Sequence, residues 1–500
     1  MISSRIRPRF PSNLLRNACQ RRTLAAAAAA TTTRAPRAEG DISSVFASLS
    51  GAAAKPLPER FAGIKTALIR GREQEIQASW QRLLSKLRSE IDQITTHGSS
   101  IIPELEFSEI NNFSRVQPFS QSLKRRGVAV IRNVVPEPEA LFWKQEIRDY
   151  IRANPQTKAF PADNPAVYEL YWSPGQIKAR AHPNLLETQK FLMSSWHVDS
   201  DPKATISMSH PVAYADRLRI RMPGDAGFAL GPHIDGGSAE RWEPNGYGRG
   251  HVYDSVFEGR WENFDPWDAS GRIHAESDLY NGAGACSMFR MFQGWLSMSN
   301  TSAGEGTLLV NPLFNLATAY YLLRPFFSPR MGDVGKSGFL DTENWVLDPV
   351  QSTVLQGATL GCTQELTAAL HPHLELEKSM VSVPDVRPGD YVAWHCDTVH
   401  AVDRIHSGKG DSSVLYIPVC PLTEANARYL GIQREAFESG TPGPDFPGGA
   451  GESQHVGRMK RGDIEKAGGE EGLRAMGLGS WEAAMERERD SVRIANDILG

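Results

Sequence analysis

The tripeptide His233-Ile234-Asp235, set in Gly231-Pro232-His233-Ile234-Asp235-Gly236-Gly237, constrains this chain more than any other stretch. Residues i and i+2 of an extended strand share a face, so His233 and Asp235 can point together at one metal ion. Two ligands do not make a site. A third is available at His400, which ends the run Pro388-Gly389-Asp390-Tyr391-Val392-Ala393-Trp394-His395-Cys396-Asp397-Thr398-Val399-His400. Two histidines and one carboxylate on one side of an ion leave its other side open for chemistry.

A His-x-Asp tripeptide is weak evidence alone, and His197-Val198-Asp199 is a second one. The copy at 233 is preferred because it follows a run, Arg217 to Met222, that stops at Pro223-Gly224. Glycines at 231, 236 and 237 leave room for close backbone approach. In the downstream segment Pro-Gly-Asp makes a turn, Tyr391 to Trp394 reads as a strand, and His400 follows. His395 competes with it for the ligand role. The His371-Pro372-His373 pair, beside a helix-like run, reads as a surface feature.

A chain of 500 residues with 40% hydrophobic and 22% charged content has the make-up of an ordinary globular protein. It is long enough for one elaborated domain or two. No apolar run of about 18 residues appears, so a membrane-spanning helix is not expected. The net charge of −4 gives no sign of a nucleic-acid partner. Five scattered cysteines without a Cys-x-x-Cys pair argue against a disulfide framework or a structural zinc site.

The first 38 residues differ from the rest. They hold eight arginines, no lysine and no acid, with Ser, Thr and an alanine run from Ala25 to Ala30. That composition predicts a mitochondrial transit peptide over residues 1–40, with a basic disordered tail as the alternative, and hence the mitochondrial matrix rather than the cytoplasm. Losing those eight charges would take the net charge from −4 to −12. Residues 41–58, rich in Ser, Ala and Pro, read as a linker.

Residues 59–480 then read as one domain. Apolar residues at three- and four-residue steps from Arg60 to Thr96 predict one amphipathic helix or a pair. Gly127 to Val135 is a β-branched run closed by Pro136, hence a buried strand, and Glu137 to Ala153 has helical periodicity. Further strands are expected at 216–222, 287–299, 307–310, 391–394 and 414–419, and a helix at 313–323. The result is an antiparallel, mainly β core flanked by helices. Residues 236–285, rich in Trp, Gly and Asp, look like an insertion beside the tripeptide. Its Trp242, Tyr247, Trp261 and Trp267 either wall the substrate site or pack a loop onto the core. The stretch from Gly440 reads as loop and surface helix, with 481–500 as a tail.

Together these residues resemble the 2-oxoglutarate/Fe(II)-dependent oxygenase superfamily, whose members place His-x-Asp early and a distal His late. Long stretches are similar to its YbiU-like family: Asp216-Arg-Leu-Arg-Ile-Arg221, Gly231 to Trp242, Phe292-Gln-Gly-Trp-Leu296, Trp394-His-Cys-Asp397 and Pro444-Asp-Phe-Pro447. The resemblance implies a double-stranded β-helix (jelly-roll, clavaminate-synthase-like) core. It implies Fe(II) held by His233, Asp235 and His400, 2-oxoglutarate and O2 as co-substrates, and a small-molecule substrate that it does not identify. Gly304-Glu-Gly-Thr307 is similar to a turn whose threonine touches the co-substrate carboxylate, which implies that role for Thr307.

One departure stands out. Superfamily members anchor the far carboxylate on an arginine shortly after the distal histidine, whereas 410–415 here read Gly-Asp-Ser-Ser-Val-Leu. Arg404 and Lys409 lie nearer, Arg290 sits on an expected core strand as the basic anchors of some relatives do, and Arg219 and Arg221 alternate with apolar residues so that they can face inward. A buried dicarboxylate needs a paired cation, so one of these should serve. Two other readings stay open: a metal and 2-oxoglutarate-binding sensor without turnover, and a cupin-like metalloenzyme that does not use 2-oxoglutarate. Histidine ligands must be neutral, so iron affinity is expected to fall as pH drops through about 6.

Overall fold

In the computed structural model the described residues are 37, 42–48, 56–201, 203–227, 229–282, 285–332 and 335–500. The transit-peptide expectation falls on residues 1–40, which apart from Arg37 lie outside the described residues, as do parts of the expected linker.

The strands are numbered β1–β17 along the chain. The larger sheet runs β1 (Glu104–Glu106), β2 (Val128–Arg132), β14 (Tyr391–His395), β8 (Phe292–Ser297), β16 (Ser412–Tyr416), β6 (Leu218–Arg221), β4 (Val167–Tyr168) and β3 (Ala159–Phe160). A second sheet runs β12 (Gln364–Glu365), β7 (His233–Ile234), β15 (His400–Val402), β9 (Leu308–Val310) and β13 (Val381–Ser382). Separate pairs join β10 (Phe327–Pro329) to β11 (Trp345–Leu347) and β5 (Ile206–Val212) to β17 (Cys420–Thr423). Apart from the parallel β1–β2 pair, the ladders are antiparallel.

The chain crosses between the two main sheets again and again: β6, β8, β14 and β16 lie in the larger one, and β7, β9, β13 and β15 in the other. Both sheets contribute to one apolar cluster, which holds Val128, Val130, Trp295, Val392, Trp394 and Val414 together with Ile234, Leu308, Val310 and Val402. The intervening residues Ala129, Ile131, Leu296, Tyr391, Ala393 and Leu415 belong to a second cluster on the far side. These strands are buried on both faces, which is why their sequence is a continuous apolar run rather than an alternation.

Helices cover the rest, and the molecule is mixed α/β rather than mainly β. The periodicity at Arg60 to Thr96 becomes two helices, Arg60–Ile69 and Glu73–His97. The second buries Ile76, Trp80, Leu83, Leu84, Leu87, Ile91 and Ile94, carries Glu73 and Glu75 in its first turn where the macrodipole favours acids, and stops at Gly98. The helix at Glu137–Ala153 has the expected bounds. The expected strand at 414–419 is displaced to Ser412–Tyr416, followed by β17. The stretch from Gly440 is less loop-like than expected, with helices at Arg461–Ala475 and Arg489–Leu499.

The His371-Pro372-His373 pair corrects another expectation. Both rings are buried rather than on the surface, against Trp80, Tyr320 and Trp345. Neither ring nitrogen of His371 has a hydrogen-bond partner. Burial, with Arg324 nearby, pushes both histidines down to about 3.

Asp390 pins the turn that leads into the His400 segment. Its Oδ1 accepts from the backbone N–H of Asn133 at 2.9 Å, and its Oδ2 accepts from Arg132 at 2.6 Å and from the Arg387 N–H at 3.0 Å. The side chain is 1% exposed. Replacing Asp390 by Ala opens the Asn133 and Arg387 N–H groups while Arg132 keeps Glu104 as a carboxylate partner, and urea unfolding should show a loss of about 2 kcal/mol. A loss below about 0.5 kcal/mol would contradict this assignment.

The buried histidines set a pH dependence. Unfolded imidazole titrates near 6.5, so the unfolded chain binds more protons than the native one between about 6.5 and 3. The stability these residues contribute is fully present above about 6.5 and is lost as pH falls toward 3. The urea midpoint should decline from pH 7 to 5, and His371→Phe should flatten that decline; an unchanged slope would rule His371 out as a source.

Candidate metal centre

The triad forms across one backbone pairing. His400 on β15 is the direct partner of His233 on β7, so the two rings stand side by side, centroids 4.2 Å apart. Asp235 follows the end of β7, where Gly236 and Gly237 take positive φ (78° and 89°) that other residues rarely adopt. Its Oδ1 lies 3.7 Å from His233 Nε2 and its Oδ2 lies 3.4 Å from His400 Nε2.

Backbone carbonyls fix both tautomers. His233 Nδ1 is 2.7 Å from Gly231 O, and His400 Nδ1 is 3.0 Å from Thr398 O. A carbonyl only accepts, so each Nδ1 carries the proton and each Nε2 is left with a lone pair. Both lone pairs and the carboxylate sit within 4.8 Å of one another, a donor set suited to a divalent transition metal. Around them Thr363 donates its hydroxyl toward Asp235 Oδ1 at 3.4 Å, and Arg241 donates to Asp235 O at 2.8 Å.

Burial, aided by the neighbouring His400, lowers His233 to about 4, so this ring stays neutral well below pH 6. Burial alone would raise Asp235, but the two imidazoles outweigh it and hold the carboxyl well below its usual range. Both effects favour the protonation states that bind metal. The loss of affinity expected near pH 6 therefore does not come from His233.

The competing histidines are engaged elsewhere. His395 stacks on Trp196 at 4.6 Å, donates Nε2–H to Pro266 O at 3.0 Å and accepts the Asp397 N–H on Nδ1 at 3.0 Å. Beside it Arg272 forms a buried ion pair with Asp397, which also accepts from Tyr253 at 2.9 Å. His197 lies at the surface between Asp199, 3.1 Å away, and Asp265, 3.0 Å away.

The triad opens into a solvent-reaching cavity whose wall includes Leu230, Arg290, Trp295, Trp394, Val402 and Tyr416. A second, smaller hollow shares Asp235 and Arg290 with it. Arg290 makes no hydrogen bond or ion pair among the described residues and rests over the Tyr214 ring at 5.6 Å. Thr307, Arg404 and Lys409 do not line the cavity. The Thr307 N–H donates to Asp403 Oδ2 at 3.0 Å, and the Arg404 carbonyl accepts from Arg221.

Two inward arginines lie between the sheets. Arg221 is consumed by Asp225 and by the carbonyls of Asp225, Asp403 and Arg404. Arg219 is fully buried over Trp295 at 4.4 Å. One of its nitrogens donates to Gly306 O at 2.8 Å, while Nε and Nη1 have no partner.

The insertion packs more than it gates. Trp242, Trp261 and Trp267 are buried, and their indole N–H groups reach the carbonyls of Leu322, Ser79 and Lys124. Tyr247 donates to Gly236 O at 2.9 Å and lines the smaller hollow. Sequence reasoning did not find Thr363, Arg241, or the carbonyls of Gly231 and Thr398. Backbone carbonyls leave no trace in residue identity, and Thr363 arrives from a distant loop.

Comparisons with known proteins follow this architecture. YbiU of Escherichia coli K12 is 33% identical over 401 residues, covering 78% of this chain and 88% of its own. The crystal structure of the GlcNAc Inducible Gene 2 protein of Candida albicans has 32% identity and a TM-score of 0.78, covering 90% of this chain and 96% of that one. A Salmonella typhimurium LT2 structure, provisionally named an oxidoreductase, has 31% identity and a TM-score of 0.71, covering 83% and 96%. The model of the Gig2-like family matches residues 55–478, and the chain belongs to that family.

Proposed function

We propose that the protein is a non-heme Fe(II) oxygenase that consumes 2-oxoglutarate while oxidising a small molecule, on a double-stranded β-helix core. The observation that carries this reading is the convergence of two imidazole lone pairs and one carboxylate in the wall of an open cavity. The repeated crossing of the chain between its two main sheets supports the β-helix. The provisional name of the Salmonella relative agrees with an oxidoreductase.

Iron, when bound, supplies the centre at which 2-oxoglutarate and O2 react. The residues do the rest. His233 and His400 would hold the ion through their Nε2 lone pairs, and Asp235 would offset its charge. Trp394 and Val402 line the cavity with apolar surface that limits water near the reacting atoms. The arginine-rich, acid-free composition of residues 1–38 supports mitochondrial import as the setting.

Arg219 is the anchor this reading favours for the far carboxylate. Arg219 does not itself line the cavity but lies over Trp295, which does; buried guanidinium nitrogens without partners are costly, and an anion reaching past Trp295 would pair with two of them. The Gly306 carbonyl that Arg219 bonds precedes Thr307, which the family resemblance brings to the co-substrate. Arg290 is then left in the wall, where the substrate can meet it.

Anaerobic titration with Fe(II) and 2-oxoglutarate tests the reading through the visible charge-transfer band of the chelate. Wild type should show it and His233→Ala should not. Arg219→Met should raise the 2-oxoglutarate concentration required by about 10- to 100-fold, the loss of one or two charge-assisted hydrogen bonds, and Arg290→Met should raise it less. The reverse order would move the anchor to Arg290. Stoichiometric iron binding without a band would sink the 2-oxoglutarate assignment and favour a sensor or a metalloenzyme of another type.

A further inference from the structure

One side of the metal cavity comes from residues that precede the family match at 55–478. Ile42 and Val45 bound a short 3-10 turn, Phe46 follows it, and all three are buried and line the cavity. Phe46 meets the His233 ring edge-on, centroids 4.9 Å apart at 87°. Beyond it the stretch is tied to the strand that flanks the triad. The Thr363 N–H donates to Val45 O at 3.0 Å, and the Ser48 N–H donates to Glu365 Oε2 at 3.0 Å. Glu365 is itself the ladder partner of His233.

The other end is held by charge. Arg37 donates to Asp278 Oδ2 at 2.9 Å, lies 3.4 Å from Asp445 Oδ1, and also bonds the carbonyl of Asp445. Both carboxylates are buried, and the Ser287 hydroxyl lies between them, 3.2 Å from Asp278 Oδ2 and 2.7 Å from Asp445 Oδ1. Burial pushes the Asp445 carboxyl up, and Arg37 pulls it back toward the charged form. Breaking one partner of such a pair leaves a buried charge behind, so the contact holds its segment firmly.

We propose that Arg37 and Ile42–Ser48 form a strap that completes the metal cavity. Arg37 is its latch, Phe46 is a positioning residue for His233, and Ile42 and Val45 set an apolar limit on the substrate side. The proposal rests on the metal reading of the triad. Gly231 O holds one edge of the His233 ring, and Phe46 stops the ring from swinging and water from reaching it. Any cut that removes the arginine-rich leader has to fall before Arg37 if the cavity is to stay closed.

The test uses full-length Phe46→Ala, Phe46→Leu, Arg37→Ala and Arg37→Lys, each with two measurements. Co(II) titration followed by its visible absorption reports affinity at the triad, and hydrogen–deuterium exchange of the metal-free protein reports residues 42–48 and 231–237. Phe46→Ala should weaken Co(II) binding by about tenfold, the scale of an orienting contact to a metal ligand, and speed exchange over 231–237. Phe46→Leu should fall between, which keeps the test valid if Phe46→Ala misfolds. Arg37→Ala should speed exchange over 42–48 and weaken Co(II) binding, with Arg37→Lys restoring part of both. Wild-type affinity and exchange in Phe46→Ala would overturn the positioning role, and unchanged exchange over 42–48 in Arg37→Ala would overturn the latch. If wild type binds no Co(II), the metal reading fails and exchange alone decides the strap.

Discussion

The pairing of His400 opposite His233 is the contact on which the site depends. Two short strands, β7 and β15, meet at that one register position. A slip by one residue would turn either histidine to the other face of the sheet and dissolve the triad. The ladder is held from both flanks, by β12 beside β7 and by β9 beside β15. The buried Asp390 fixes the turn from which the His400 segment sets out.

Buried cations around that pairing are satisfied in two ways, by carboxylates or, as for Arg180 and Arg241, by backbone carbonyls. Arg272 pairs with Asp397, Arg221 with Asp225, and Arg37 with Asp278. Burial pushes Asp397 up, but the surrounding cations outweigh it and leave it at about 2. Arg219 differs in leaving two of its nitrogens without a partner, and Arg290, in the cavity wall, makes no hydrogen bond among the described residues.

The aromatic residues divide in the same manner. Most of the insertion's tryptophans bury their rings and satisfy their N–H groups on backbone carbonyls, which is the behaviour of packing. Two aromatics touch triad rings: Phe46, carried by a stretch that looked like a linker, meets His233, and Trp394 of β14 meets His400 at 5.1 Å. Distance along the chain from the motif anticipates the second contact and not the first.

Local patterns in the sequence marked the triad candidates, the positions along the chain of β2, β6, β8, β9 and β14, and the helices whose apolar residues recur every three or four positions. Those signals are local: the side-chain period of a strand or helix and the room left by Gly231, Gly236 and Gly237. Tertiary packing brought His400 rather than His395 beside His233 and Asp235, and the His395 nitrogens instead meet Pro266 O and the Asp397 N–H. It likewise buried His371 and His373, moved Thr307, Arg404 and Lys409 out of the cavity wall, and brought Arg219 between the sheets and Phe46 onto His233. Those outcomes depend on hydrogen-bond partners and packing neighbours contributed by distant segments, and residue identity along one chain does not encode them locally.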